Sequence, residues 1–107
     1  MSLDTFGTPK ELKGAIEYQE NSIVSKALIQ KKEGSLSLFA FDKNQALSEH
    51  TSPYDAFIYI IEGDALIKIG GKENLVKEGE AIALPKDIPH SVKAEKPFKM
   101  LLIMIKG

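Results

Sequence analysis

The clearest polar/apolar alternation in this chain runs through Ser35-Leu36-Ser37-Leu38 and continues apolar to Phe41, the pattern of a strand with one face on a core. Apolar runs at Ile23 to Gln30, Ala56 to Ile61, Ala65 to Ile69, Glu80 to Leu84, Ser91 to Ala94 and Phe98 to Ile105 predict further strands, with a short one at Leu75-Val76. Turn residues separate them: Lys31-Lys32-Glu33-Gly34, Asp42-Lys43-Asn44-Gln45, Glu62-Gly63-Asp64, Gly70-Gly71 and Lys77-Glu78-Gly79, with Pro85 ending its strand for want of an N–H. Gly70-Gly71 signals a tight hairpin. The one helical signal is Thr8-Pro9-Lys10-Glu11, a capping box with proline at the first helical position; Gly14 limits it to one turn or two at most, and the segment fits a loop equally well. Strands at this spacing, with no long helical period, predict an all-β sandwich or barrel.

Pleat parity orients the candidate chemistry. His90, Val92 and Ala94 share one strand face, and the charged Lys93 marks the other as solvent, so His90 points inward. By the same rule Ser48, His50 and Ser52 share a face, with Glu49 turned away; Pro53 can disturb the pleat, which leaves Tyr54 and Asp55 as further candidates for the interior. His50 and His90 are the only two histidines, and a small barrel can bring both onto one inner wall.

Composition narrows the classes. A length of 107 residues suits one domain with a modest core, and 43% hydrophobic residues is ordinary for a globular protein. The formal charge of -1 is spread along the chain without a basic stripe, so nothing points to nucleic acid. The absence of Cys removes disulfides, thiolate nucleophiles and Cys-ligated metals. The first residues lack the basic patch and apolar run of a signal peptide, and no stretch has the length of a membrane span; a cytoplasmic protein that does not engage membranes is expected.

The spacing around the two histidines resembles the cupins, specifically small single-domain cupins of the RmlC-like, type-2 conserved-barrel kind. In their first motif Asn44 stands at the opening Gly, His50 at the first His, Ser52 at the second His, Ala56 at the Glu and Gly63 at the closing Gly. In their second motif Gly79, Pro85, Asp87, His90 and Ala94 occupy the places of Gly, Pro, Gly, His and Asn. The resemblance covers roughly Ser35 to Gly107 and implies a double-stranded β-helix, a jelly-roll barrel. Residues 1–34 are then an N-terminal segment and first strands covering the barrel, and 35–107 the barrel core, within one structural domain.

In a metal-loaded cupin, two motif-one His, the Glu and the motif-two His surround a divalent iron, manganese, nickel, copper or zinc ion. This chain keeps His50 and His90 and departs at Ser52 and Ala56. A second register sets His50 at the second His, with Ser48 before it and Asp55 for Glu, at the expense of one extra residue before Gly63. Two imidazoles make a poor permanent metal site, because catalytic zinc normally keeps three protein ligands; Asp55 or Tyr54 would have to complete a firm one. Otherwise no cofactor is expected, and the pair acts as neutral hydrogen-bonding groups in a polar pocket.

Three functions compete. The first is a small-molecule binding module of unassigned specific activity, with a pocket lined by His50, Ser52, Tyr54, Ile58, Ile60, His90, Val92 and Met100, with Met104 as a further wall residue, and at most a weakly held divalent metal. The second is a metal-dependent oxygenase or isomerase acting on a small organic acid or sugar. The third is a structural or regulatory subunit working through an apolar outer face. Phe57, Tyr59 and Ile61 oppose Ala56, Ile58 and Ile60, and Leu101, Ile103 and Ile105 oppose Phe98, Met100, Leu102 and Met104. One barrel has one interior, so the N-terminal segment or a second subunit must cover the other face; a homodimer is expected. Glu62 and Asp64 read as solvated turn residues, and Lys43, Lys72 and Lys77 as loop decoration.

Overall fold

The computed structural model describes residues 7–106. Among these residues nine strands follow a 3-10 turn at Leu12–Gly14: β1 (Ile23–Lys31), β2 (Gly34–Phe41), β3 (Ala46–His50), β4 (Asp55–Glu62), β5 (Asp64–Ile69), β6 (Lys72–Lys77), β7 (Ala81–Leu84), β8 (His90–Lys93) and β9 (Phe98–Ile105). They form a five-stranded sheet in the order β1-β2-β9-β4-β7 and a four-stranded sheet in the order β3-β8-β5-β6. Every ladder among the described residues is antiparallel. The two sheets enclose a core of Phe41, Ile58, Ile60, Ile67, Val92, Phe98 and Met100, and the architecture is all-β, as the strand spacing predicts, and the jelly roll that the resemblance implies. No helix among the described residues is long and apolar enough to cross a membrane.

The turns form where the sequence places them, for the stated steric reason. Gly63, Gly70, Gly71 and Gly79 all have positive φ, and so does Asn44 at 66°. At the centre, Phe41 and Phe98 are register partners whose rings stack at 4.5 Å.

Gly14 ends a single 3-10 turn, within the one or two turns expected, and three details need correction. The turn begins at Leu12 rather than at the capping box of Thr8–Glu11, and the residue before it, Glu11, makes no side-chain cap. One turn ending at Gly14 holds too few hydrogen bonds to repay helix nucleation. β6 spans six residues rather than two, because an edge strand needs little apolar content. Of its residues only Val76 is fully buried; Asn74 turns inward and donates its side-chain N–H to the Ile67 and Lys72 carbonyls. Lys72 and Lys77 therefore end a strand rather than decorate loops.

The outer face of the five-stranded sheet is half covered. Ile16, just after the 3-10 turn, is buried against Leu38, Ala40 and Ile61, with Leu12, Ala15, Val24, Leu28 and Leu101 around them. Polar ties fasten this strap. Tyr18 donates its hydroxyl to Glu62 Oε2 at 2.6 Å. Lys13 reaches Glu78, and the buried Lys99 ammonium donates to the Lys13 carbonyl, lies 3.9 Å from Glu62 and sits over the Tyr18 ring. Glu62 is thus a strap anchor, not a solvated turn residue. Beyond the strap, Phe57, Tyr59 and Ile105 stay 41%, 38% and 60% exposed beside a crevice of about 330 Å³ lined by Phe57, Ala83, Pro85 and Ile105.

Candidate functional site

His50 ends β3 and His90 begins β8, and the two are cross-strand partners. Leu47 pairs with Val92 two steps along the ladder, so Ser48 and Glu49 together oppose the single Ser91, and the register shifts between Leu47 and His50. This bulge changes the parity. Leu47 and His50 share the inner face with Val92 and His90, whereas the regular pleat put Ser48 on the face of His50.

The two rings meet edge to face with centroids 4.4 Å apart. Each is fixed by its own chain. His50 Nδ1 lies 2.7 Å from the Ser48 carbonyl oxygen, and His90 Nδ1 lies 3.2 Å from that of Ile88. A carbonyl oxygen only accepts, so each Nδ1–H donates, and a ring in its neutral form then carries its lone pair on Nε2. His90 is 7% exposed and His50 lies open, so the pair is half sunk at one end of the barrel. Ile58, Ile60, Val92 and Met100, expected as pocket lining, belong to the buried core cluster and form apolar packing deeper in the barrel; Met104 packs against that cluster.

The remaining expected residues go elsewhere. Ser52 is half-buried and its Oγ accepts the Tyr54 N–H at 3.2 Å. Tyr54 is exposed, with the Lys106 ammonium 5.6 Å over its ring. Asp55, the expected third ligand, pairs with Ile105 at the start of β4, while its neighbour Ala56 faces the core. Asp55 therefore lies on the outer parity, and its Oδ1 accepts the Lys86 N–H at 2.9 Å. Among the described residues no group of three His, Cys, Asp or Glu side chains gathers as metal ligands. Two imidazoles only 4.4 Å apart could reach one ion from adjacent sides, at about 2.1 Å per nitrogen, but not from opposite ones. They fall one ligand short of a firm catalytic site. The donor set does not fit a resident divalent metal.

The loop before His90 carries a feature the sequence reading did not isolate. In Pro85–Pro89 the Asp87 N–H donates to the Ser52 carbonyl at 2.8 Å, and the Pro89 carbonyl accepts the Gly70 N–H at 2.8 Å. Asp87 holds φ at 64°, in the place where the cupin motif has Gly. Asp and Asn visit this region more readily than other side chains. An Asp two residues after a strand-ending proline was the available signal.

Comparison with known proteins agrees with this architecture. Residues 37–105 match the cupin domain family. Among curated proteins nothing matches. A conserved protein of unknown function from Streptococcus pyogenes, SPY1581, is 32% identical, with a TM-score of 0.89 over 94% of this chain and 89% of that one. A cupin 2 conserved barrel domain protein from Leptotrichia buccalis is 42% identical, with a TM-score of 0.83 over 85% of this chain; the match spans only 44% of that longer chain. A cupin superfamily protein from Desulfitobacterium hafniense is 28% identical, with a TM-score of 0.89 over 94% of this chain and 93% of that one. With its two motifs, its two facing sheets and a family match over well more than half its length, this chain belongs to the cupin family.

Proposed function

We propose that the protein binds a small molecule at the open end of its barrel through His50 and His90, with no resident metal. One observation carries this reading: both Nδ1 atoms are tied to carbonyls of their own chain, which leaves an Nε2 acceptor on each of two neutral rings whose centroids lie 4.4 Å apart. Two neighbouring acceptors suit a ligand that offers two donors, such as the hydroxyls of a sugar or a small hydroxy acid.

The test is a ligand-observed NMR screen of small sugars, polyols and hydroxy acids against protein purified without a tag. Binding is expected in the wild type and lost in the His50→Ala, His90→Ala double variant, with far-UV circular dichroism unchanged. Hits that survive the double substitution would remove the histidines from the site. Stoichiometric iron, manganese, nickel, copper or zinc that leaves with the two imidazoles would instead establish a metal-dependent oxygenase or isomerase chemistry.

We further infer a homodimer that buries the uncovered apolar face around Phe57 and Tyr59. What supports it is the size and exposure of the two aromatics on a face that the strap leaves bare.

A further inference from the structure

Resting on the reading that the imidazole pair is the site, we propose that Asp55 is the positioning residue that holds His90 against His50. His90 follows five residues of irregular backbone, Pro85 to Pro89, and its ring is steered by the Ile88 carbonyl within that same loop. Displacing the loop therefore moves the group that fixes the His90 tautomer. Three ties hold the loop: Lys86 N–H to Asp55 Oδ1, Asp87 N–H to the Ser52 carbonyl, and Gly70 N–H to the Pro89 carbonyl. One of the three runs to Ser52 in the connection that leads from His50 into β4 and another to Asp55, the first residue of β4, so the loop before His90 is fastened to the chain that follows His50.

Only the Asp55 tie uses a side chain. It is also charge-assisted, and it starts from the first residue of β4, a central strand bonded on both sides by β7 and β9. Asp55 thus transmits the position of the rigid sheet to the loop through Lys86, without touching either ring. Its removal leaves the Lys86 N–H without a protein acceptor, and it frees Asp87 to leave a left-handed conformation that costs a non-glycine residue energy.

Imidazole nitrogen NMR on the full chain, with no ligand present, tests this. In Asp55→Ala the cross-relaxation between the His50 and His90 rings should fall by more than half, and the two His90 nitrogens should move toward a tautomer mixture. The His50 nitrogens, held by the Ser48 carbonyl of their own strand, should stay. Asp55→Asn, whose side-chain oxygen still accepts, should keep the wild-type pattern. The Phe41–Phe98 ring signals report the core; if Asp55→Ala does not fold, Asp55→Ser, too short to reach Lys86, takes its place with the same expectation. A wild-type His90 pattern in the truncated variant overturns the proposal, and so does an equal loss in Asp55→Asn. The rings are read without ligand, so failure here leaves the binding proposal standing, and failure of the ligand screen leaves this one standing.

Discussion

Gly63 joins β4 to β5 with φ at 78°, and a methyl group built on it would lie 2.6 Å from the Pro97 carbonyl oxygen and 3.0 Å from Phe98 Cβ. Backbone strain and overlap with a fixed carbonyl act together, so Gly63→Ala should cost about 2–4 kcal/mol, read as a lowered urea midpoint at unchanged slope. Asp87 gives the opposite case. Glycine there relieves a left-handed strain but adds chain entropy to the unfolded state, so Asp87→Gly should be neutral within about 1 kcal/mol; Asp87→Val should cost about 1–3 kcal/mol. Melting temperatures of the pair check the contrast. At this scale much was legible. Gly63, Gly79 and Asn44 announce their conformations because few residue types tolerate them. The inward turn of His90 followed from Lys93, three residues along on the opposite face. The face shared with His50 did not follow, because a bulge leaves no mark in the residue types of Ser48 and Glu49, and parity counting assumes an unbroken pleat.

Among the elements, the N-terminal strap is the one whose attachment depends on acidity. The Asn21 N–H, and after it the Lys43 N–H, hold the Asp42 carboxyl below the usual carboxylate range. The Gly63 N–H, and after it the Lys13 side chain, do the same for Glu78. Both groups are depressed in the folded state, so their contribution is present above the ordinary carboxylate range of about 3.9–4.3 and is lost as pH falls below it. Tyr18 works at the other end. Burial first, then its bond to Glu62, pushes its hydroxyl above the ordinary tyrosine value, so its contribution is present below that value and lost in strong alkali. The Asp42→Asn, Glu78→Gln double variant should show a flatter fall of stability on the acid side in denaturant titrations at several pH values. Strands with strong alternation were readable as elements. β3 and most of β6 were not, since each owes its place to a neighbour rather than to its own apolar content: β3 to its ladder with β8, β6 to its hairpin with β5. The strap's polar anchors lie far apart in sequence, as Tyr18 and Glu62 do, and no local pattern joins them.

For the molecule as a whole, the apolar character of both faces of β4 and β9 was plain in the sequence, and the structure shows where the second face is closed and where it is open. The strap closes it over Leu38, Ala40 and Ile61 and leaves Phe57, Tyr59 and Ile105 exposed. If a second copy covers this remainder, Phe57→Lys with Tyr59→Lys should convert a dimer to a folded monomer in sedimentation velocity at micromolar concentration. An unaltered sedimentation coefficient would place the contact elsewhere. The core should behave independently of that surface: Phe98→Ala removes one of two stacked rings and should cost about 3–5 kcal/mol by urea denaturation.

The irregularity in β3 has a consequence for how the barrel can vary. Between Leu47 and His50 the strand carries one residue more than its partner. Excising Ser48 or Glu49 would straighten the ribbon and complete its ladder, and it would leave Leu47 and His50 two residues apart, the spacing that a regular pleat keeps on one face, so the first imidazole would stay turned inward. The pairing of the two rings thus tolerates a strand shorter by that one extra residue, and it depends on the histidines themselves.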